Sequence, residues 1–360
     1  MTPEKMEEIA HYQLHGIIDS SVTAEILKKT AGESFQASSN SLIGKAFKKS
    51  GLKWFNKKTV QAYEAEGITI NSNKKYFKLN KKSSWKEYDN LFKLYKKAQT
   101  PKSWYKKIFS YAKKNKITLF ASVFDLGTVD FLEQFNCPAY KIASPEIIDI
   151  PLLEKVAKTK KPIIISNGLG NFKDLNLAVS TIKKFNKNII VLKCTSSYPA
   201  AAQSLNLKTM KDITKKFKCH SGFSDHTRGI DLSVYSAALG ASMLEKHVVL
   251  KKNSKTVDSF FSIDFNEFKI MVDKIRLNEK AYGVISYDIP NSSKINLHGR
   301  KSLFAVEKIK KGEKFTDKNV KSIRPYHGLH PKYYKYLLSK RSNKNIDHGD
   351  PIKIKYVKKC

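Results

Sequence analysis

Two histidines end two consecutive short apolar runs of this sequence, a placement that suits a metal site. His226 follows the run at 221–223, and His247 lies at the end of the run at 243–248. Parallel strands bring their carboxyl ends to one edge of a sheet, so we expect the two imidazoles side by side, as ligands of a divalent metal. The alternative is that each imidazole only satisfies a local hydrogen bond, as most histidines do.

A second group of residues suits the binding of a phosphate. Lys141 lies within the apolar run at 139–143, where an ammonium group is costly to bury without a partner. Serines end this run and its neighbours, and one ammonium with several hydroxyl donors neutralises a phosphate and satisfies its oxygens. The alternative for Lys141 is a structural salt bridge. We predict a phosphate site made by Lys141, Ser144, Ser166 and Ser224.

Glu146 lies close to that predicted phosphate site. It is a candidate general acid or base. Equally, it is a carboxylate at the start of a helix, where the helix dipole favours a negative charge. Ser122, Ser196 and Tyr198, at the ends of two further apolar runs, complete the predicted substrate site.

The elements that must position these residues alternate between strand and helix. Two more strands, at 16–18 and 52–55, would close a parallel sheet into a (β/α)8, or TIM, barrel of the α/β class. Residues 68–100 interrupt the alternation as an insertion, which we expect at the catalytic face. Six apolar runs are predicted as strands, at 117–124, 139–143, 162–166, 189–195, 221–223 and 243–248. Helical spacing is found at 103–111, 128–135, 150–158, 175–185, 230–239 and 265–282.

The chain is predicted to hold two domains. Residues 1–284 would form the barrel, and residues 285–297, which contain Pro and Ser, are predicted as a linker. Residues 298–360 would form a small β-rich domain, near the lower size limit for independent stability. Its predicted strands are at 302–306, 309–316, 320–324 and 352–357.

Charge and cysteine content narrow the classes of function. The chain has 67 Lys and Arg against 32 Asp and Glu, a net charge of +35, which would suit a nucleic-acid partner. The lysines, however, are dispersed over nearly all predicted helices instead of clustering with aromatic residues. The four cysteines lack the CxxC spacing of zinc sites, and there is neither a run of about 18 apolar residues nor a signal-like N-terminus. We therefore expect a soluble, cytoplasmic protein that binds neither nucleic acid nor a membrane.

The polar strings stand in an order that resembles the sialic acid synthase family. The strings of the predicted barrel are YKIASPE (140–146), CTSSYP (194–199), FSDHT (223–227), EKH (245–247) and DSFFS (258–262). RKSLFA (300–305), IKKGE (309–313) and IRPYHGL (323–329) resemble the antifreeze-like (SAF) domain of that family. Within the family, residues 68–77, 93–101 and 328–334 look most like pseudaminic acid synthases.

This resemblance implies a metal-dependent condensation of phosphoenolpyruvate with the open-chain aldehyde of an acetamido sugar. The implied sugar is 2,4-diacetamido-2,4,6-trideoxy-altropyranose, and the metal is manganese, with magnesium or cobalt as alternatives. N-acetylneuraminate or legionaminic acid synthase is the alternative within the family. The resemblance implies metal binding by His226 and His247, water activation by Glu146, phosphoenolpyruvate binding by Lys141, Ser144, Ser166 and Ser224, and sugar binding by Asp258. It also implies a domain-swapped homodimer in which Arg324 reaches the sugar of the neighbouring subunit.

The first 60 or so residues diverge most from the family. The counterpart of the family's first strand, at 24–32, keeps Glu25, to which a catalytic role is carried over. The second strand ends in Lys-x-Gln in the family. Here Gln61 is kept, whereas Lys58 is displaced by one residue, a shift that turns a side chain to the other face of a strand. We expect Glu25, Gln61 and Lys58 to contribute to the site. The alternative is a catalytically impaired homologue that binds only sugar or phosphate.

Overall fold

The structure, a computed structural model, describes residues 57–62, 64–115, 117–249, 252 and 256–358. The chain divides after Gly283 into two compact units. The segment at 285–297, predicted as a linker, belongs to the second unit and contains a short helix, Asn291–Lys294. None of the described helices is both long and apolar enough to cross a membrane.

The first unit is built on a sheet of seven parallel strands whose spatial order follows the sequence. The central strands are nearly continuous runs of Ile, Val and Leu, as expected of strands that are covered on both faces. The strands are β1 Lys57–Ala62, β2 Thr118–Val123, β3 Tyr140–Ile142, β4 Ile163–Asn167, β5 Ile189–Cys194, β6 His220–Asp225 and β7 Leu244–Lys246.

All six apolar runs predicted as strands from residue 117 onward contain one, and the parallel order is confirmed. A strand also lies at Lys57–Ala62, later in the chain than the predicted second strand. The predicted strands at 16–18 and 52–55 lie outside the described residues.

The sheet is curved, as a barrel requires. Lys141 on β3 and Glu245 on β7 are four strands apart, yet Nζ and Oε2 are separated by only 3.4 Å. In a flat sheet the two strands themselves would lie roughly 19 Å apart, because neighbouring strands are about 4.8 Å apart. The fold of the first unit is therefore a TIM-like α/β barrel, as predicted.

Helices connect the strands. The helices that begin at Phe172 and Phe265 each start with a reciprocal capping box, Asn171 with Asp174 and Asp264 with Glu267. The helices of the first unit are α1 Ala65–Ile68, α2 Leu91–Ala98, α3 Lys102–Lys114, α4 Leu126–Glu133, α5 Ile150–Lys158, α6 Phe172–Lys183, α7 Thr209–Phe217, α8 Asp231–Ala238 and α9 Phe265–Tyr282.

Helix α7 was not predicted, although its sequence contains the signal. Met210, Ile213 and Phe217 are buried and have helical spacing, but the three lysines between them make the segment as a whole polar, which obscures the apolar stripe. The predicted insertion is present. Residues 69–90, between α1 and α2, have only one turn of 3-10 helix, Lys75–Phe77, and we call this segment the strap.

The second unit has its own core and one antiparallel strand pair, β8 Ser302–Ala305 with β9 Val320–Ile323. The other two strand predictions, at 309–316 and 352–357, were wrong. Gly312 has φ +86° and turns the first segment, so that only single bridges form on either side of it. The second segment contains a 3-10 turn, Ile354–Tyr356.

Candidate active site

His226 and His247 lie together at the carboxyl ends of β6 and β7, as the sequence predicts. Both side chains are buried, and their ring centroids are 5.1 Å apart at an interplanar angle of 74°. Nδ1 of His226 lies 3.0 Å from the carbonyl oxygen of Thr195. Nδ1 of His247 lies 3.3 Å from Oδ2 of Asp258. An oxygen atom therefore orients each imidazole through its Nδ1.

This arrangement fits a metal site. In metal-binding histidines the second ring nitrogen is usually held by a carboxylate or a backbone carbonyl, which fixes the ring and its tautomer. The described residues contain no group of three His, Cys, Asp or Glu side chains arranged around one metal position. In that part of the chain, His226 and His247 are the neighbouring side chains that could hold a divalent ion.

A buried ion pair lies beside the histidines in the sequence. Lys246 Nζ is 2.9 Å from Asp225 Oδ2 and also donates to the carbonyl oxygen of Thr227 at 2.5 Å. The same carboxylate accepts from Ser233 of α8. Asp225 and Lys246 are neighbours in the β6–β7 register, so the pair joins the two strand ends that carry the histidines. Lys246 therefore serves the packing of strands and helix.

Two of the predicted phosphate-binding residues contact a carboxylate that the sequence prediction did not include in the site. Glu245 contacts Lys141 through Oε2 at 3.4 Å and accepts a hydrogen bond from Ser224 Oγ through Oε1 at 2.7 Å. The salt-bridge alternative for Lys141 is thus present in this structure, but its partner is another strand-end residue. Glu245 precedes His247 by two residues. Residues two apart on a strand point to the same face, so the sequence contained the signal that Glu245 lies on the same side of the strand as His247.

Glu146 lies in a 3-10 turn, Pro145–Ile148, that follows β3. Burial raises the pKa of Glu146 to about 7, although a backbone hydrogen bond and the nearby Lys141 ammonium oppose the rise. Within the described part of the chain, its buried Oε2 has no hydrogen-bond partner. A carboxyl group that titrates near neutral pH and has an unpaired oxygen suits general acid or base catalysis.

Serine hydroxyls line the loop after β4. Ser144 Oγ accepts hydrogen bonds from the backbone N–H groups of Gly168, at 2.7 Å, and Leu169, at 2.6 Å. A Cβ at Gly168 would lie 2.5 Å from Ser196 Oγ, so a larger residue there would displace the hydroxyl groups of the site. Ser166 Oγ is buried and, among the described residues, unpartnered. Such an atom is unusual in a folded protein and suits a ligand contact.

Cys194 links the two groups of side chains. Its Sγ lies 3.8 Å from His226 Nδ1 and 3.8 Å from Ser196 Oγ. Burial raises the pKa of Cys194, but His226 and Lys141 outweigh that effect and leave it lowered, while Glu245 acts against them. Lys141 contacts Glu245 on β7, the strand that leads into His247, and Cys194 lies beside His226, so the predicted phosphate and metal residues lie around one mouth of the barrel.

The other residues predicted for the site lie on different elements of the chain. Ser122 on β2 is buried and in register with both Gln61 of β1 and Lys141 of β3. Lys58 is in register with Leu119. The ring of Tyr198 lies 4.4 Å from that of His226. Arg324 directly follows β9 in the second unit, and Glu25 lies outside the described residues.

A curved parallel sheet that brings ammonium, carboxyl, hydroxyl and imidazole groups to its strand ends defines a barrel enzyme. Residues 57–287 match the NeuB family and residues 300–357 match the SAF domain. The chain belongs to the NeuB family, and it carries the SAF domain that the C-terminal motifs predicted. The family resemblance seen in the sequence is thereby confirmed.

Curated relatives are similar over most of their length. A pseudaminic acid synthase of Campylobacter jejuni is 41% identical over 311 residues, which cover 86% of this chain and 89% of the relative. A pseudaminic acid synthase of Helicobacter pylori is 39% identical over 309 residues, which cover 85% and 89%. Among solved structures, a spore coat polysaccharide biosynthesis protein of Bacillus subtilis superposes with a TM-score of 0.53 at 26% identity. That match covers 92% of this chain and 93% of the other.

Proposed function

We propose that the protein is a pseudaminic acid synthase. It condenses phosphoenolpyruvate with 2,4-diacetamido-2,4,6-trideoxy-altropyranose and releases phosphate and a nine-carbon 2-keto sugar acid, which makes it an alkyl-transferring enzyme. The observation that carries the proposal is that Lys141, Glu146 and the histidine pair lie at the same mouth of the barrel, at the carboxyl ends of its strands. The similarity to two pseudaminic acid synthases supports the choice of sugar.

Lys141 and the serine hydroxyls hold the phosphate of phosphoenolpyruvate. Ser166 offers a buried hydroxyl that has no other partner in the described part of the chain, and Lys141 supplies the positive charge. Glu245 orients Lys141 through their ion pair. In this role Glu245 is a positioning residue, because it acts through the ammonium group.

The condensation forms one carbon–carbon bond and one carbon–oxygen bond, the latter with water, and it breaks the carbon–oxygen bond to phosphate. Carbon 3 of phosphoenolpyruvate attacks the aldehyde carbon, and the aldehyde oxygen takes up a proton. Carbon 2 becomes cationic, and a water molecule adds to it while Glu146 accepts the proton of that water. The resulting phosphate hemiketal collapses, phosphate leaves with its bridging oxygen, and the keto group of the product remains.

His226 and His247 hold the metal, for which manganese is the first candidate. A divalent metal bound there supplies a Lewis acid for the aldehyde oxygen. Asp258 contributes by orienting His247 through its Nδ1. Arg324 belongs to the second unit. We propose that the protein forms a domain-swapped homodimer in which Arg324 contacts the sugar bound by the partner subunit. We expect this homodimer in the cytoplasm.

Turnover by the full chain tests the proposal. Purified protein is incubated with manganese, phosphoenolpyruvate and one sugar, and released phosphate is measured. The proposal expects the highest kcat/KM with the 2,4-diacetamido-trideoxy altrose. Higher turnover of N-acetylmannosamine or of the legionaminic acid precursor would reassign the substrate. If none of the sugars supported phosphate release, the synthase activity would be refuted.

A further inference from the structure

The strap reaches the mouth of the barrel through two hydrogen bonds. Ser84 Oγ donates to the carbonyl oxygen of Tyr198 at 3.0 Å, and Trp85 Nε1 donates to the carbonyl oxygen of Val257 at 2.8 Å. The first acceptor belongs to the loop after β5 and the second to the loop after β7. The strap is therefore joined to the two loops that surround the histidine pair.

The indole of Trp85 continues a row of aromatic rings that starts at the histidines. Tyr198 lies 4.4 Å from His226, and Phe261 lies 4.6 Å from His247, between ring centroids. Trp85 follows at 5.2 Å from Tyr198, and Phe260 at 5.0 Å from Phe261. The rings of Trp85 and Phe260 meet edge-on, with centroids 6.3 Å apart, and 41% of Phe260 is exposed.

We propose that Trp85 and Phe260, which we call the aromatic rim, determine the sugar specificity of this site by contacting the deoxy and acetamido groups of the substrate. The proposal rests on the synthase function proposed above. The aldehyde carbon of the sugar reacts at the histidine pair, so the rest of the sugar extends outward along the row of rings. The rim lies on that path, beyond Tyr198 and Phe261.

The proposed sugar and N-acetylmannosamine differ in the groups that the rim would meet. The 2,4-diacetamido-2,4,6-trideoxy sugar carries a methyl group at carbon 6 and an acetamido group at carbon 4. N-acetylmannosamine carries hydroxyl groups at both positions. Methyl groups gain from contact with aromatic rings, whereas a hydroxyl group that loses water against a ring without a hydrogen-bond partner is disfavoured. The rim therefore favours the trideoxy sugar.

Four variants test the rim in the full-length protein. Trp85→Ala and Phe260→Ala remove apolar surface from it. Trp85→Phe keeps an aromatic ring but loses the hydrogen bond to Val257, and Ser84→Ala loses the bond to Tyr198 without touching the rim. Tyr235→Ala, on the exposed face of α8, is the matched loss of an aromatic ring elsewhere.

The readout is kcat/KM for each of the two sugars at saturating phosphoenolpyruvate. We expect Trp85→Ala and Phe260→Ala to lower kcat/KM for the trideoxy sugar roughly 10- to 100-fold and that for N-acetylmannosamine less than about threefold. Trp85→Phe, Ser84→Ala and Tyr235→Ala should keep the wild-type ratio between the sugars.

Two adverse outcomes are distinguishable. Equal losses on both sugars in Trp85→Ala and Phe260→Ala, with wild-type turnover intact, would assign the rim a purely structural role and overturn the inference alone. A wild-type protein that turns over neither sugar would overturn the proposed function, and the inference with it.

Discussion

Asp225 and Lys246 form an ion pair whose side chains are 0% and 1% exposed, and each residue directly precedes one of the two histidines. The pair joins β6 to β7, and Ser233 and Thr227 complete its hydrogen bonds. The charges thus have partners on every side, as buried charges need. Because the pair fixes two adjacent strand ends, it also fixes the spacing of the imidazoles that follow them.

Lys246→Met should destabilise the protein strongly. The substitution leaves Asp225 buried without its cation, which typically costs about 3–5 kcal/mol. Urea unfolding measures the free energy, and a metal titration should show weaker binding because the strand ends loosen. Lys216→Met is the control, since it breaks an exposed pair with Asp212 and should change stability by less than about 1 kcal/mol. Equal stability of the two variants would contradict the prediction.

The pH dependence of kcat/KM should reflect the ionisation of Glu146. A general base must be ionised, and the pKa of Glu146 is raised to about 7 by burial, so kcat/KM should increase with pH through about 7 and level off above it. Glu146→Gln should lower kcat by roughly 10²- to 10⁴-fold and abolish that limb of the profile. Glu154→Gln, on α5, should leave the profile unchanged. A Glu146→Gln enzyme that keeps the limb would exclude Glu146 as the base.

Lys141→Met should weaken the binding of phosphoenolpyruvate. The ammonium group is the charge that we assign to the phosphate, and loss of a charge-assisted hydrogen bond of about 1.5–3 kcal/mol corresponds to a roughly 10- to 150-fold higher KM. Lys155→Met removes an ammonium of α5 that pairs with Asp130 and should leave KM unchanged. KM for the sugar serves as the internal reference. A parallel rise of both KM values would point to general distortion of the site.

His226→Ala should lose metal binding together with turnover. The imidazole is one of the two ligands that we assign, so calorimetric titration with manganese alone should show no tight site. The control is His220→Asn, at the opposite end of the same strand β6. The two positions are six residues apart, or roughly 20 Å along an extended strand. Retention of both manganese binding and activity in His226→Ala would refute the assignment.

The local sequence pattern was sufficient to predict most strands and helices of the barrel. The strand runs from residue 117 onward, and helices α5 and α9, follow from short-range alternation of apolar and polar residues and from end caps. The failures have local causes as well. The apolar stripe of α7 is masked by lysines, and the small second unit uses single bridges and turns where the composition suggests strands.

The sequence by itself determined which chemical groups stand at the strand ends, because the period of a strand and the order of the motifs are written along the chain. Only the tertiary structure decided which of these groups meet. The contact of Lys141 with Glu245 depends on the curvature of the sheet, since it joins strands four apart. The approach of Trp85 to Tyr198 depends on the folding of the strap, because the two residues are 113 positions apart in the sequence. Both are contacts between distant parts of the chain, and no local periodicity encodes them.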